Sequence, residues 1–162
     1  SSAASDVYKR QDREARRNMM IASTIGGMAF ISSNVGAVHA FAETVGAWFD
    51  TPHGVANSLF LPYIMEFNIP ACPERFADIA DAMGIEREES MSDEQYALKA
   101  VEYVKALNRK LNIPTIKEIK GITEERFEAI AERSANNVLS NDNARKITKE
   151  DYLELLKKAY NE

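Results

Sequence analysis

The chain has 162 residues, of which 45% are hydrophobic, and this suffices for one domain with a substantial core. Its net charge of -5 argues against a nucleic-acid partner, because binding to a phosphate backbone needs a concentrated basic surface. The single cysteine, Cys72, excludes an internal disulfide and a paired-cysteine metal motif. No run approaches the roughly 20 apolar residues that span a bilayer. We therefore expect a soluble, cytoplasmic protein with neither a nucleic-acid nor a membrane partner.

Residues 1–11 do not share the pattern of the rest of the chain. At all eleven positions the segment SSAASDVYKRQ resembles the translation of a transposase adapter used in sequencing libraries. We therefore leave residues 1–11 out of the fold prediction, as is done for tags and fusion scars. The same observation predicts that residues 12–162 are a fragment of a longer protein.

Beyond residue 11, apolar residues recur at steps of three and four, which indicates amphipathic helices. The pattern predicts a first helix over residues 12–30, weakened in its last turns by Gly26 and Gly27. A second helix is predicted over residues 35–49, before Pro52 interrupts the chain.

A third helix is predicted from the region of His53 to Phe67, with a kink at Pro62. The later apolar stripes and cap residues predict four packing helices, over residues 76–83, 92–111, 123–135 and from 148 onwards. No stretch alternates with period two, and no internal repeat or linker is present. We therefore predict one all-helical domain over residues 12–162.

The chain contains two histidines, His39 and His53, on either side of the break at Pro52. Their spacing alone leaves open whether they bind a metal or are hydrogen-bonded structural residues. Small residues keep the His39 helix thin, so that another backbone or a cofactor can approach it closely. These residues are Gly36, Ala40, Ala42, Gly46 and Ala47. Tight packing between helices is the alternative, but it accounts for the small residues and not for both imidazoles.

The stretch from residue 27 to residue 68 resembles the signature region of the iron-containing (group III) alcohol dehydrogenases. That family combines G-x-x-H-A on a small-residue helix, then P-H-G-x-x-N, then a proline and an asparagine on the following helix. The matching positions are Gly36, His39, Ala40, Pro52, His53, Gly54, Asn57, Pro62 and Asn68. The resemblance continues more weakly to the C-terminus and covers residues 12–162.

The resemblance implies a two-domain enzyme, in which a Rossmann-like N-terminal domain and a helical C-terminal domain hold a divalent metal between them. Residues 12–162 would be the helical domain. In the family one aspartate and three histidines bind the metal, and His39 and His53 match the last two of those histidines. The other two ligands and the glycine-rich loop for NAD(P) would lie upstream. The ligand set suits Fe2+ or Zn2+, and the sequence does not choose between them.

Two further positions follow from the resemblance. Glu43 stands where many members carry another histidine, one helical turn after His39 and on the same helix face. Glu43 is either a functional residue, as a carboxylate behind the metal ligands or a proton carrier, or a solvated surface residue. The sequence leaves these alternatives open. Phe30 matches a position that lines the substrate cleft, with a core aromatic as the alternative.

The resemblance implies an intact enzyme that interconverts small-molecule alcohols with aldehydes or ketones by hydride transfer with NAD(P). We expect that enzyme to be a homo-oligomer and the 162-residue chain itself to be inactive. Two alternatives remain. One is a relative such as a glycerol dehydrogenase or a dehydroquinate-synthase-like lyase, although the PHGVAN motif favours the alcohol dehydrogenase branch. The other is a non-catalytic helical interaction module in which both histidines are structural.

Overall fold

The computed structural model describes residues 12–162, and the adapter-like segment 1–11 lies outside the described residues. Every regular element in the described part is helical, which confirms the predicted all-helical fold class. The helices are α1 (Arg13–Ser33), α2 (Ala37–Phe49), α3 (His53–Asn68), α4 (Pro73–Ala82), α5 (Asp93–Lys110), α6 (Phe127–Ala135) and α7 (Lys149–Asn161). Short 3-10 helices occupy Ile69–Ala71, Ile116–Glu118, Glu124–Arg126 and Val138–Asp142.

The chain divides into two compact units, one ending at Val35 and the other beginning at Gly36. In the first unit, the Asp12 side chain begins α1 by accepting hydrogen bonds from the backbone amides of Glu14 and Ala15, at 3.1 and 3.0 Å. This is the usual N-cap arrangement. The helix continues through both glycines to Ser33, beyond its predicted end at residue 30.

The second unit has its larger hydrophobic cluster among α2, α3, α6 and α7. Phe41 lies at its centre and is completely buried. Its ring stacks on Phe60 with centroids 4.1 Å apart and meets the edge of Tyr152 with centroids 4.6 Å apart. These contacts fix the inner faces of α2 and α3, so that their outer faces are free to carry polar side chains.

A smaller hydrophobic cluster joins the hairpin of α4 and α5 to the end of α3. Ser92 begins α5 with a capping box, in which Gln95 N–H donates to Ser92 Oγ at 3.2 Å and Ser92 N–H donates to Gln95 Oε1 at 3.0 Å. The buried Tyr96 hydroxyl lies 2.6 Å from the carbonyl oxygen of Ile85 and 2.8 Å from Asp81 Oδ1. The hairpin is therefore closed by contacts among its own residues.

The helix boundaries agree with the predicted ones to within a few residues. α2 ends at Phe49 as predicted, while residues 124–126 form a 3-10 turn ahead of α6 instead of its first turn. α3 continues past the buried Pro62 to Asn68, and the kink expected there stays a prediction. Among residues 12–162, no single helix has the length and apolar composition to cross a membrane, although α1 and α2 reach that composition when taken together.

Candidate metal centre

The fold brings the two histidines together at the corner between α2 and α3. His39 lies in the first turn of α2 and is half-buried, and His53 is the first residue of α3 and is exposed. Their ring centroids are 5.3 Å apart, and the ring planes are inclined by 51°. With metal–nitrogen bonds of about 2.1 Å and a tetrahedral angle, two ligating imidazoles have centroids roughly 5 Å apart. The pair therefore fits two ligands of one metal ion.

A short connection makes this corner possible. Asp50, in the left-handed region with φ 49°, ends α2, and Pro52 precedes the first residue of α3. A Cβ atom added to Gly46 would lie 3.3 Å from the carbonyl oxygen of Thr51, so the returning chain passes close against α2. The small residue at 46 thus permits the close backbone approach that was expected from the sequence.

Two asparagines hold the start of α2, the buried Asn68 and the partly buried Asn143, although neither lies on that helix. Asn143 Nδ2 donates to Asn68 Oδ1 at 2.7 Å, and Asn68 Nδ2 donates to Asn143 Oδ1 at 3.1 Å. The same Asn143 oxygen accepts from the backbone N–H of Ala37 at 3.3 Å. A Cβ atom on Gly36 would come within 3.1 Å of that oxygen, so glycine is the residue that fits. This network fixes the turn that carries His39.

Asn57 contacts His53 directly from one turn along α3. Its Nδ2 donates to the backbone carbonyl of His53 at 2.9 Å and lies 3.1 Å from the imidazole Nε2. Its Oδ1 is buried without a hydrogen-bond partner. From the sequence, Asn57 and Asn68 were only motif matches, and Asn143 was not predicted. Asn143 lies in the sequence NDNARKITKED, residues 141–151, where the resemblance to the family is weak and no local pattern connects the segment with α2.

The electrostatic surroundings keep His39 in the form that binds metal. Burial lowers the pKa of His39 below its ordinary 6.5, and the nearby His53 lowers this pKa further, while Glu43 opposes both. His39 is therefore neutral at pH 7. Metal ligation requires a neutral imidazole, so no proton has to be removed from His39 at that pH.

Two further site residues were predicted, Glu43 and Phe30. Glu43 is exposed and accepts a hydrogen bond from Asn137 Nδ2 at 2.7 Å. It lines a groove of about 550 Å³ between α2 and α6, together with Trp48 and Arg133. Phe30 lies on α1, in the other unit, with 52% of its side chain exposed. The roles predicted for Glu43 and Phe30 stay predictions.

Within residues 12–162, no group of three or more His, Cys, Asp or Glu side chains is arranged to hold a metal ion. The two imidazoles would be the nitrogen donors of the described part, and other groups would fill the remaining coordination positions. Imidazole nitrogen suits both iron and zinc. The imidazoles of His39 and His53 are thus suitable as two of the ligands of either ion.

The chain is similar to proteins of one known family. Residues 1–160 match the family described as "Fe-containing alcohol dehydrogenase family, C-terminal". The chain is 38% identical over 149 residues to lactaldehyde reductase of Escherichia coli strain K12, covering 92% of this chain and 39% of that protein. It is 37% identical over 147 residues to 1,3-propanediol dehydrogenase of Citrobacter freundii, covering 91% of this chain and 38% of that protein.

Solved structures give the same result. The alcohol dehydrogenase from Oenococcus oeni superimposes with a TM-score of 0.92 at 38% identity, over 98% of this chain and 41% of that one. A 1,3-propanediol oxidoreductase superimposes with a TM-score of 0.91 at 34% identity, over 96% of this chain and 41% of that one. The chain therefore spans about two fifths of the length of these relatives. It belongs to the Fe-containing alcohol dehydrogenase family and corresponds to the helical C-terminal part of its members.

Proposed function

We propose that this chain supplies two metal ligands, His39 and His53, to an alcohol dehydrogenase that interconverts alcohols and aldehydes or ketones with NAD(P). The observation that carries the proposal is the imidazole pair, with ring centroids 5.3 Å apart at the starts of two adjacent helices. Relatives named as lactaldehyde reductase and 1,3-propanediol dehydrogenase support a small alcohol or aldehyde as the substrate class. We place the intact enzyme in the cytoplasm as a homo-oligomer.

A bound Fe2+ or Zn2+ ion would supply Lewis acidity toward the oxygen of an alcohol or a carbonyl compound. The chain's own contribution is to present two neutral nitrogen donors at a fixed separation. Burial keeps His39 neutral, and the Asn68–Asn143 amide pair holds the turn that carries it. For Glu43 we propose the role of a proton carrier, because it lies on an open groove one turn beyond His39.

The ligand assignment is tested by metal binding to the whole 162-residue chain. We expect Zn2+, and Fe2+ under anaerobic conditions, to bind in calorimetric titrations, and binding to be lost in His39→Ala and in His53→Ala. Asp78→Asn, an exposed carboxyl on α4, is the control and should leave binding unchanged. Metal uptake that is the same in both histidine variants as in the unaltered chain would refute the assignment and favour the non-catalytic interaction module.

The chain by itself should not catalyse the reaction. No β-strand occurs within residues 12–162, so nothing in that part forms the parallel sheet on which a Rossmann-like domain binds NAD(P). We expect no reduction of an aldehyde such as lactaldehyde by NADH or NADPH when the purified chain is added with Zn2+ or Fe2+. Turnover above the background rate would overturn this expectation.

A further inference from the structure

Within residues 12–162, the side-chain amide of Asn57 is hydrogen-bonded to His53 and to no other residue. Nδ2 lies 2.9 Å from the backbone oxygen and 3.1 Å from the imidazole Nε2 of that residue, and Oδ1 is buried without a donor. An unsatisfied buried carbonyl is costly, and such groups are rare in folded proteins. The two contacts of Nδ2 must therefore be what keeps the amide in this orientation.

The backbone carbonyl determines which way the amide faces. Turning the amide over would place Oδ1, instead of Nδ2, at 2.9 Å from the carbonyl oxygen of His53. Two acceptor oxygens at that distance repel, so Nδ2 is the atom that faces His53. An amide nitrogen only donates hydrogen bonds. Nε2 must therefore accept with its lone pair, and the proton of the neutral ring lies on Nδ1.

This hydrogen bond and metal binding exclude each other. A neutral imidazole has one nitrogen with a lone pair and one N–H group, and a metal takes the lone pair. If the metal binds Nε2, that lone pair cannot accept from Asn57. If the metal binds Nδ1, the ring proton is on Nε2, which then donates and cannot accept. The contact seen between Asn57 Nδ2 and Nε2 thus belongs only to the metal-free His53.

We propose that Asn57 is a positioning residue that competes with the metal ion for His53, and this rests on the metal site proposed above. Without a metal, its amide favours the Nδ1–H tautomer of the His53 ring and one ring orientation. When the metal binds, the contact to Nε2 is lost, while Nδ2 keeps its hydrogen bond to the backbone carbonyl of His53. Removing the amide therefore removes a competitor and should tighten metal binding roughly two- to tenfold, the worth of one hydrogen bond.

The test is an NMR titration of the whole 15N-labelled chain with Zn2+. Without zinc, the ring nitrogens of His53 should show the Nδ1–H tautomer, and zinc should shift both these nitrogens and the side-chain amide signals of Asn57. The Asn108 amide, which donates to the Ser58 carbonyl at 2.6 Å, should not respond. This measurement needs no variant, so it holds even if substitutions at Asn57 impair folding.

Asn57→Leu, which keeps the side-chain volume and removes both polar atoms, should bind Zn2+ roughly two- to tenfold more tightly than the unaltered chain. Ser58→Ala is the matched control, because its Oγ donates to the Gly54 carbonyl at 2.8 Å on the same helix and not to His53. It should leave zinc affinity unchanged. A residue that supports a metal-bound imidazole would have the opposite sign, with binding weakened by about tenfold or more on its loss.

The two proposals fail in different ways. Weaker zinc binding by Asn57→Leu, or a zinc response at His53 with no response at the Asn57 amide, would overturn the competition and leave the metal site intact. If His53 does not respond to zinc even at millimolar concentrations, the metal site itself is refuted, and the competition with it.

Discussion

Two parts of the second unit are built in different ways, the hairpin of α4 and α5 and the corner of α2 and α3. The hairpin satisfies its polar groups locally, with the Ser92 capping box at the start of α5 and the Tyr96 hydroxyl bonded within the hairpin. The corner does not. The N-cap residues of α2 and α3 make no side-chain hydrogen bond to their helices, and within residues 12–162 the buried side-chain carbonyl of Asn57 has no hydrogen-bond partner.

The difference separates a region with local hydrogen bonds from a region that is held by residues distant in the chain. The polar contacts of the hairpin join residues that are close together in the chain. The start of α2 depends on Asn143, which lies 106 residues after Ala37. Functional sites are often found where helix starts lack their usual local caps and are instead stabilised by residues distant in the chain. The corner is that region, and it carries both imidazoles.

The largest expected effect comes from the core that supports the corner. Phe41→Ala removes a completely buried ring that packs on Phe60 and Tyr152, and it should lower the free energy of unfolding by about 3–5 kcal/mol. Chemical denaturation of the whole chain measures this loss. Phe76→Ala, a partly buried ring of the hairpin cluster, is the comparison and should cost less. If both variants lost the same unfolding free energy, the core beneath the corner would contribute no more to stability than the hairpin cluster does.

Asn143→Ala should have the next largest effect. It removes the acceptor for the Ala37 N–H and leaves the Asn68 amide, which is only 7% exposed, without its partner. We expect a loss of about 2–3 kcal/mol in unfolding free energy. Zinc binding should also weaken, because the turn that carries His39 is loosened. Asn141→Ala, at an exposed position in the same segment, should change neither quantity.

Ser92→Ala should have the smallest effect and should touch only stability. It removes the cap of α5 and should cost about 1 kcal/mol of unfolding free energy. Zinc affinity should stay the same, because the hydrogen bonds of the Ser92 cap lie within α5 and do not reach α2 or α3. A change in zinc affinity as large as that of Asn143→Ala would show that the two regions are coupled, and the comparison between them would fail.

The helix starts that carry capping residues were the elements predicted best from the sequence. Ser92 with Gln95 marks the start of α5, and Thr148 with Asp151 marks the start of α7, and both capping boxes are present. The end of α1 was less predictable. Each glycine at 26 and 27 lowers helix preference by about 1 kcal/mol without forbidding the helix, so α1 extends to Ser33.

The site was predictable only in part, because its supports are distant in the chain. The motif resemblance identified His39 and His53, whereas spacing alone could not show that their rings meet. Nothing local indicates that Asn143 would bond to Asn68, because 75 residues separate them. The bond from Asn137 to Glu43 spans 94 residues and was equally hidden. Pairings of this kind depend on the packing of α2 against α6 and the loop after it, and local periodicity does not record that packing.

The most direct test of the central claim, that His39 and His53 bind one metal ion together, is a double-mutant cycle on zinc affinity. Zinc binding would be measured for the unaltered chain, for His39→Ala, for His53→Ala and for the double variant. Two ligands of one ion are strongly coupled, so either single substitution should lose nearly as much affinity as both together. Additive losses would contradict the claim, because they would mean that the two imidazoles act at separate sites.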